Sequence, residues 1–127
     1  MLDGAHNLDA AKQLARHLRA NFKDRDITLV VGILDDKPYA AMLKLLLPYA
    51  ARVIATQAKT RRALPAEKLE AVAKTLVSGV RIIRDVAAAL DHAVKTARPQ
   101  SLTLVAGSLY VVGEAKAALE KRTVQPG

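Results

Sequence analysis

The segment that most restricts the fold is Ile27 to Leu34, Ile-Thr-Leu-Val-Val-Gly-Ile-Leu. Apart from Thr28 it is continuously apolar, it is rich in β-branched residues, and it does not alternate polar with apolar. A strand with one wet face alternates, whereas a strand covered on both faces does not. The run therefore predicts a strand in the interior of a parallel sheet. Parallel neighbours need long crossover connections, usually helices, and the flanking sequence supplies them. From Leu8 to Lys23, apolar Ala11, Leu14, Ala15, Leu18 and Phe22 recur at helical spacing, with Asn7 or Asp9 as the cap. Tyr39 to Leu47 predicts a short helix limited by Pro48.

The alternation continues. Arg52 to Ala55 predicts a short strand, and Pro65 suits the first turn of a helix faced by Leu69, Val72, Ala73 and Leu76. Gly79 is expected to close that helix before a strand from Val80 to Ile83. Asp85 is the expected cap of the next helix, whose stripe is Val86, Ala89, Leu90, Ala93, Val94 and Ala97. Leu102 to Ala106 predicts the last strand. Val112, Ala115, Ala118 and Leu119 mark the last helix, with Thr123 to Gly127 as a frayed tail. The expected fold class is α/β: an open, mostly parallel, Rossmann-like sheet flanked by helices, with residues 1–127 as one domain. Leu2 to His6 resembles the end of a strand and its loop with almost no strand before it, so the chain is expected to be a fragment.

Composition narrows the chemistry. Phe22, Tyr39, Tyr49 and Tyr110 are the only aromatics, so the core must be aliphatic. No cysteine is present, which excludes a disulfide framework, a thiol nucleophile and cysteine-ligated zinc. Lys and Arg total 20 against 12 Asp and Glu, a formal charge of +8 that favours anionic partners. The basic residues are dispersed with few stacking aromatics, which argues against single-stranded nucleic acid. Apolar runs such as Met42 to Leu47 are too short to span a bilayer, and the charged first twenty residues contain no secretory core. No P-loop, GxGxxG, HExxH or GxSxG pattern occurs.

Three polar clusters each follow a predicted strand and open a helix: Asp3-Gly4-Ala5-His6-Asn7, Asp35-Asp36-Lys37 and Gly107-Ser108-Leu109-Tyr110. In open α/β sheets that edge collects ligands, and helix N-termini there favour anions. Taken singly, each cluster has a simpler explanation. Asp3 reads as a cap for the first helix, His6 as a loop histidine, Asp35-Asp36 as a solvated turn and Ser108 as an N-cap. His17 and His92 fall in helices, and Thr60-Arg61-Arg62 is a basic loop suited to a solvated surface. The functional case rests on the three clusters sharing one edge. Asp35-Asp36 is also similar to the acidic pair of receiver domains, but the later acceptor Asp and the final Lys are missing, which excludes that class.

In this order the clusters resemble the C-terminal domain of the folylpolyglutamate synthase/dihydrofolate synthase family, in the Mur ligase superfamily. Leu2-Asp3-Gly4-Ala5-His6-Asn7 resembles its DGAHNP segment, and Gly32 to Lys37 resembles its G-x-x-x-DK loop. Ala106 to Glu114, AGSLYVVGE, resembles its TGSLYVVGE segment. Val53-Ile54-Ala55-Thr56 and Arg61-Arg62-Ala63-Leu64-Pro65 also match in order. Leu8, Ala106 and Pro38 stand where the family usually has Pro, Thr and an acidic residue. The resemblance spans essentially the whole chain, and it implies an N-terminal ATPase domain that these residues lack.

The resemblance implies an enzyme that uses ATP and Mg2+ to turn a carboxylate into an acyl phosphate, which the amine of glutamate attacks. It implies Asp3, His6 and Asn7 on the ATP side, His6, Lys37 and Ser108 on the L-glutamate side, and His6 as the one catalytic candidate. The metal would be held mainly by the N-terminal domain, with no ligand in this chain. The implied partners are L-glutamate, folate or dihydropteroate, and that domain; a cytoplasmic monomer is expected, with no nucleic acid and no membrane. The isolated chain is expected to be inactive. The alternative is a non-catalytic anion- or nucleotide-binding α/β module.

Overall fold

In the computed structural model, residues 1–124 are described, with side chains through Lys121. Along them run α1 (Leu8–Asn21), β1 (Ile27–Val31), α2 (Tyr39–Leu46), β2 (Arg52–Ala55), α3 (Ala66–Ala73), β3 (Val80–Ile82), α4 (Val86–Lys95), β4 (Leu102–Ala106) and α5 (Leu109–Val124). The strands form one parallel sheet in the order β3-β2-β1-β4. The expected α/β class holds, and every pairing between these strands is parallel.

The central strand explains its own sequence. β1 is buried along its whole length, with Leu29 in register with Val53 on one side and Leu104 on the other. Ile27, Leu29 and Val31 enter one apolar layer with Leu14 and Leu18 of α1, Met42, Leu43 and Leu46 of α2, and Leu69 of α3. Val30 enters the opposite layer with Ile54, Val105, Leu90 of α4, and Val111 and Ala115 of α5. Both faces are covered, so neither can be polar. Large aliphatic side chains fill both layers, and the smaller Ala11, Ala66, Ala89 and Ala93, all fully buried, bring helices close to the sheet.

The first residues extend the sheet beyond β4. Leu2 bridges Val105 in parallel, the Asp3 N–H donates to the Val105 carbonyl (3.0 Å), and the Val105 N–H donates to the Met1 carbonyl (2.9 Å). The strand-end character of Leu2-Asp3 is thus realised in the fold. The amino ends of the two central strands are joined by charge: Arg52 Nη2 of β2 donates to both carboxylate oxygens of Asp26 at 3.0 Å, and its Nε donates to Thr28 Oγ1 of β1 at 3.2 Å.

Caps follow the sequence closely. Asn7 Oδ1 accepts from the Ala10 N–H (2.8 Å), and an Asp85 oxygen accepts from the Ala88 N–H (2.9 Å). Pro65 precedes α3, where the Ala66 N–H is satisfied by Gln57 Oε1 at 2.8 Å. Several boundaries differ from expectation. The first strand ends at Val31 rather than Leu34, because Ile33 and Leu34 turn to pair with Leu64 and Ala63. α2 stops at Leu46, and Pro48 sits in a 3-10 turn over Leu47–Tyr49. α3 ends at Ala73, six residues short of Gly79, through turns that leave Leu76 exposed. Val94 and Leu119 are exposed, and Ala97 lies past the end of α4. α5 continues through Thr123 and Val124, where fraying was expected; Gln125 to Gly127 lie outside the described residues.

Gly113 lies within α5, and a Cβ added there meets nothing within 4 Å. Gly113→Ala is expected to stabilise the chain by about 0.5–1 kcal/mol, because it removes backbone freedom from the unfolded state without a clash. A higher urea midpoint at unchanged m-value would show it.

Candidate functional site

From β1 the chain proceeds to β2 on one side, while β4 pairs with β1 on the other. The connections leaving β1 and β4 therefore diverge, and a crevice opens at the carboxyl ends of these strands. The loop after Leu2 adds a third wall, since Leu2 and Asp3 pair with Val105 at the same edge.

Close backbone contacts join these loops. The Gly107 N–H donates to the Ala5 carbonyl (3.0 Å), and the Gly32 N–H donates to the Ala106 carbonyl (3.4 Å). A Cβ on Gly107 would lie 2.4 Å from the Gly32 carbonyl oxygen. One on Gly32 would lie 2.7 Å from Val111 Cγ2 and 2.9 Å from the Thr56 carbonyl oxygen. One on Gly4 would lie 3.0 Å from Leu109 Cδ2. The glycines are thus positions of close approach: the first and third sequence clusters touch each other, and the loop after β1 joins them through Gly32, ahead of Asp35-Asp36-Lys37.

Within this frame each candidate has a definite local role. Asp3 does not cap α1, as it would on its sequence alone. Its Oδ1 accepts from the Ala5 N–H (2.9 Å), which shapes the loop itself, and Asn7 caps the helix instead. The physical reason is reach: the side chain two residues upstream of an N–H forms an Asx turn before the helix begins. His6 is half-buried, with Nδ1 at 2.8 Å from the Gly4 carbonyl oxygen. A carbonyl only accepts, so Nδ1 carries the hydrogen, and in the neutral ring Nε2 holds the lone pair. Ser108 is buried at 1% exposure, and its Oγ accepts from the Val111 N–H at 3.0 Å. The N-cap role is therefore real, and the hydroxyl hydrogen remains for donation.

The loop after β1 splits in two. Its first half contacts Gly107. Its outer half is drawn toward the loop after β2: the Asp35 N–H donates to the Arg62 carbonyl (2.7 Å), and Arg62 Nη2 pairs with Asp36 Oδ2 (3.2 Å). Asp36 and Arg62 thus neutralise each other. Lys37 is half-buried at the start of α2, and none of the described carboxylates pairs with it. No hydrogen bond joins Lys37 to His6 or Ser108 among the described residues.

Sequence reasoning missed one support, and it named Leu109 and Tyr110 without their exposure. Thr56 is fully buried and donates its hydroxyl to the Arg84 carbonyl (2.8 Å), holding the loops after β2 and β3 together beneath Gly32. Its position directly after the Arg52–Ala55 run was the available signal. Leu109 and Tyr110 are 59% and 47% exposed, an apolar pair on the lip of the site.

Helices α1, α2 and α5 begin at this edge, so their free N–H groups face it and favour anions. No group of three or more His, Cys, Asp or Glu side chains is placed to hold a metal among the described residues. A separate cavity of about 360 Å³ between α4 and α5, lined by Lys59, Asp85, Leu90 and Glu114 among others, contains none of the candidates. Away from the crevice, Arg84 donates to Glu67 at 2.7 Å and holds that carboxyl below its usual range, which clamps α3 to the end of β3.

Fold and edge together define a parallel α/β domain in which the loops after Leu2, β1 and β4 come together at the carboxyl ends of the strands. Residues 1–109 match the Mur ligase, glutamate ligase domain family, and the chain belongs to it. It is 40% identical over 125 residues to a probable bifunctional folylpolyglutamate synthase/dihydropteroate synthase from Haloferax volcanii, covering 98% of this chain and 15% of that protein. Among solved structures it is similar to E. coli FolC in complex with DHPP and ADP, with TM-score 0.86 and 27% identity. That match covers 95% of this chain and 28% of FolC. It is also similar to a bifunctional folylpolyglutamate synthase/dihydrofolate synthase with Mn, AMPPNP and L-glutamate bound, with TM-score 0.81 and 33% identity. There it covers 94% of this chain and 29% of the other. The chain thus spans under a third of each relative named, and these relatives are ligases of which it corresponds to the C-terminal domain.

Proposed function

We propose that the chain is the C-terminal domain of an ATP-dependent amide ligase that adds L-glutamate to folate or dihydropteroate. The observation that carries this is the contact of the loops after Leu2 and β4 with each other and with Gly32 of the loop after β1, in a chain of the glutamate ligase family. The nucleotides and L-glutamate in the names of its structural relatives support it. The rest of the enzyme, an N-terminal ATPase domain, closes over this edge, and the exposed Leu109 and Tyr110 suit such a cover. The complete protein acts as a cytoplasmic monomer.

In the proposed reaction a substrate carboxylate oxygen attacks the terminal phosphorus of ATP, ADP leaves, and an acyl phosphate forms. The glutamate amine then attacks the acyl carbon, phosphate leaves, and the amine loses a proton as the amide forms. Mg2+, held mainly by the other domain, screens phosphate charge. Asp3, fixed by its bond to Ala5, presents its carboxylate to nucleotide hydroxyls, with Asn7 beside it. Lys37 binds a glutamate carboxylate by a charge-assisted bond, and Ser108 donates its hydroxyl hydrogen to one. His6, oriented through Gly4, offers Nε2 to the phosphates or as acceptor of the amine proton. This is chiefly positioning and charge stabilisation.

Alone, the chain is expected to give no turnover with ATP, L-glutamate and dihydropteroate. Joined to the N-terminal remainder of E. coli FolC, it is expected to restore glutamate-dependent release of ADP. A joined protein that folds and binds ADP yet forms no glutamate amide would sink the proposal.

A further inference from the structure

Glu114 ends the AGSLYVVGE run, and the reaction outlined above gives it no part. It is half-buried in the second turn of α5, and its Oε2 accepts from the Lys59 N–H at 2.7 Å. No backbone carbonyl accepts from Lys59 among the described residues, so Glu114 supplies what the loop after β2 lacks. Lys59 Nζ also lies 3.6 Å from Asp85 Oδ1, the cap of α4, so this one residue is held from two helices.

The bond bears on how Lys37 is held. The loops after Leu2 and β4 touch each other and Gly32, but Asp35 to Lys37 lie beyond those contacts. That outer segment hangs instead on the loop after β2, residues 56–65. The Asp35 N–H donates to the Arg62 carbonyl (2.7 Å), Arg62 pairs with Asp36 (3.2 Å), and the Leu64 N–H donates to the Ile33 carbonyl (2.9 Å). Within the loop, the Thr60 N–H donates to the Ala58 carbonyl (2.9 Å) and the Ala63 N–H to the Thr60 carbonyl (3.2 Å). Tight turns, not slack chain, therefore separate Lys59 from Arg62.

We propose that Glu114 is a positioning residue for the L-glutamate side of the site, setting Lys37 relative to Ser108. The inference rests on the ligase reading above. Ser108 caps α5, and Glu114 stands on the same helix about 9 Å further along. From Glu114 the connection runs through Lys59 and the turns to Arg62, then to Asp35 and Asp36 beside Lys37. A hydroxyl and an ammonium that grip one small ligand from two loops tolerate little change in spacing, because hydrogen bonds weaken steeply with distance and angle. Release of Lys59 frees the loop and the segment it carries. The bond needs an acceptor at a set reach and no charge on the ligand. Glutamine therefore serves, whereas aspartate, shorter by about 1.5 Å, keeps the charge and loses the reach.

The test compares wild type with Glu114→Ala, Glu114→Asp and Glu114→Gln in two arms. The Lys59 N–H lies at the surface, where water replaces a lost acceptor, so the variants are expected to stay folded, which circular dichroism checks. In amide-resolved NMR of the chain without ligand, Glu114→Ala and Glu114→Asp are expected to move Lys59, Arg62 and Asp35 to Lys37 together. Glu114→Gln is expected to leave them near their wild-type positions. Movement confined to Lys59 and its chain neighbours overturns the proposal. The second arm uses the chain joined to the N-terminal remainder of E. coli FolC. There Glu114→Ala and Glu114→Asp are expected to raise KM for L-glutamate about tenfold, with kcat and KM for ATP within about twofold and Glu114→Gln close to wild type. Equal rises for both substrates, or Glu114→Gln as impaired as Glu114→Ala, overturn it. If the joined wild type forms amide and the variants keep its KM, the positioning role fails and the ligase reading stands. If the joined wild type forms no amide, the ligase reading fails and the role in glutamate binding falls with it, while the first arm still shows whether Glu114 holds the loop.

Discussion

Gly107→Ala is expected to destabilise the chain by about 3 kcal/mol or more, enough to leave much of it unfolded. Two independent costs add. The residue adopts φ +115°, a conformation that side-chain-bearing residues rarely adopt. Its Cβ would also lie 2.4 Å from the Gly32 carbonyl oxygen and 3.1 Å from Ile33 Cγ1. The first obstacle is backbone, held where the Gly32 N–H bonds to Ala106, so it cannot swing aside as a side chain can. Gly4→Ala provides the contrast, because its Cβ would meet only the tip of exposed Leu109 at 3.0 Å. Urea denaturation of both variants checks this. A Gly107→Ala midpoint matching wild type would show that the crevice floor is more pliable than these contacts imply.

Lys37→Ala, in the chain joined to an N-terminal ATPase region, is expected to lower glutamate-dependent amide formation about 100-fold. The loss should fall on kcat/KM for L-glutamate, with KM for ATP little changed. Lys37 has no carboxylate partner among the described residues, so its removal orphans no internal charge. The chain's stability should change by under about 0.5 kcal/mol. That separation of activity from stability distinguishes a ligand-binding lysine from one that merely holds the loop. Equal effects on glutamate and ATP would remove Lys37 from the glutamate side.

The pattern of the sheet was legible because the physics behind it is local and repetitive. Burial of β1 on both faces leaves no room for polar alternation, so Ile27 to Val31 announced a central parallel strand by composition alone. Asp85 was equally plain, since a helix needs an acceptor at its start, while for α1 the sequence left Asn7 and Asp9 open and the fold uses Asn7. The misplaced boundaries arose where tertiary contacts decide. Ile33 and Leu34 look like more strand, but Leu64 and Ala63 supply their partners and bend the chain away from β4. Leu76 fits a helical stripe, yet α3 ends three residues earlier and the turns that follow leave Leu76 exposed.

The placement of three clusters after strand ends was readable, because parallel strands place all their carboxyl ends together. What the sequence could not show was how those clusters spend their polar atoms. Asp3 turns its own loop and Asp36 is paired with Arg62, whereas the Ser108 cap of α5 was readable from its position. The first two depend on a partner distant in sequence or on a turn geometry that residue types alone do not define. The apolar lip at Leu109 and Tyr110 was hidden for the same reason, since a helix's first turn is exposed or covered according to what lies beyond the sheet.

The most direct test of the central claim is amide-resolved NMR of the 127-residue chain titrated with ADP and with L-glutamate to high millimolar concentration. Shifts are expected to concentrate in Asp3 to Asn7, Asp35 to Lys37 and Gly107 to Tyr110, with ADP favouring the first segment and glutamate the latter two. Saturable shifts confined to other surfaces, or none from either ligand, would contradict the assignment of this edge as the half-site of a glutamate ligase.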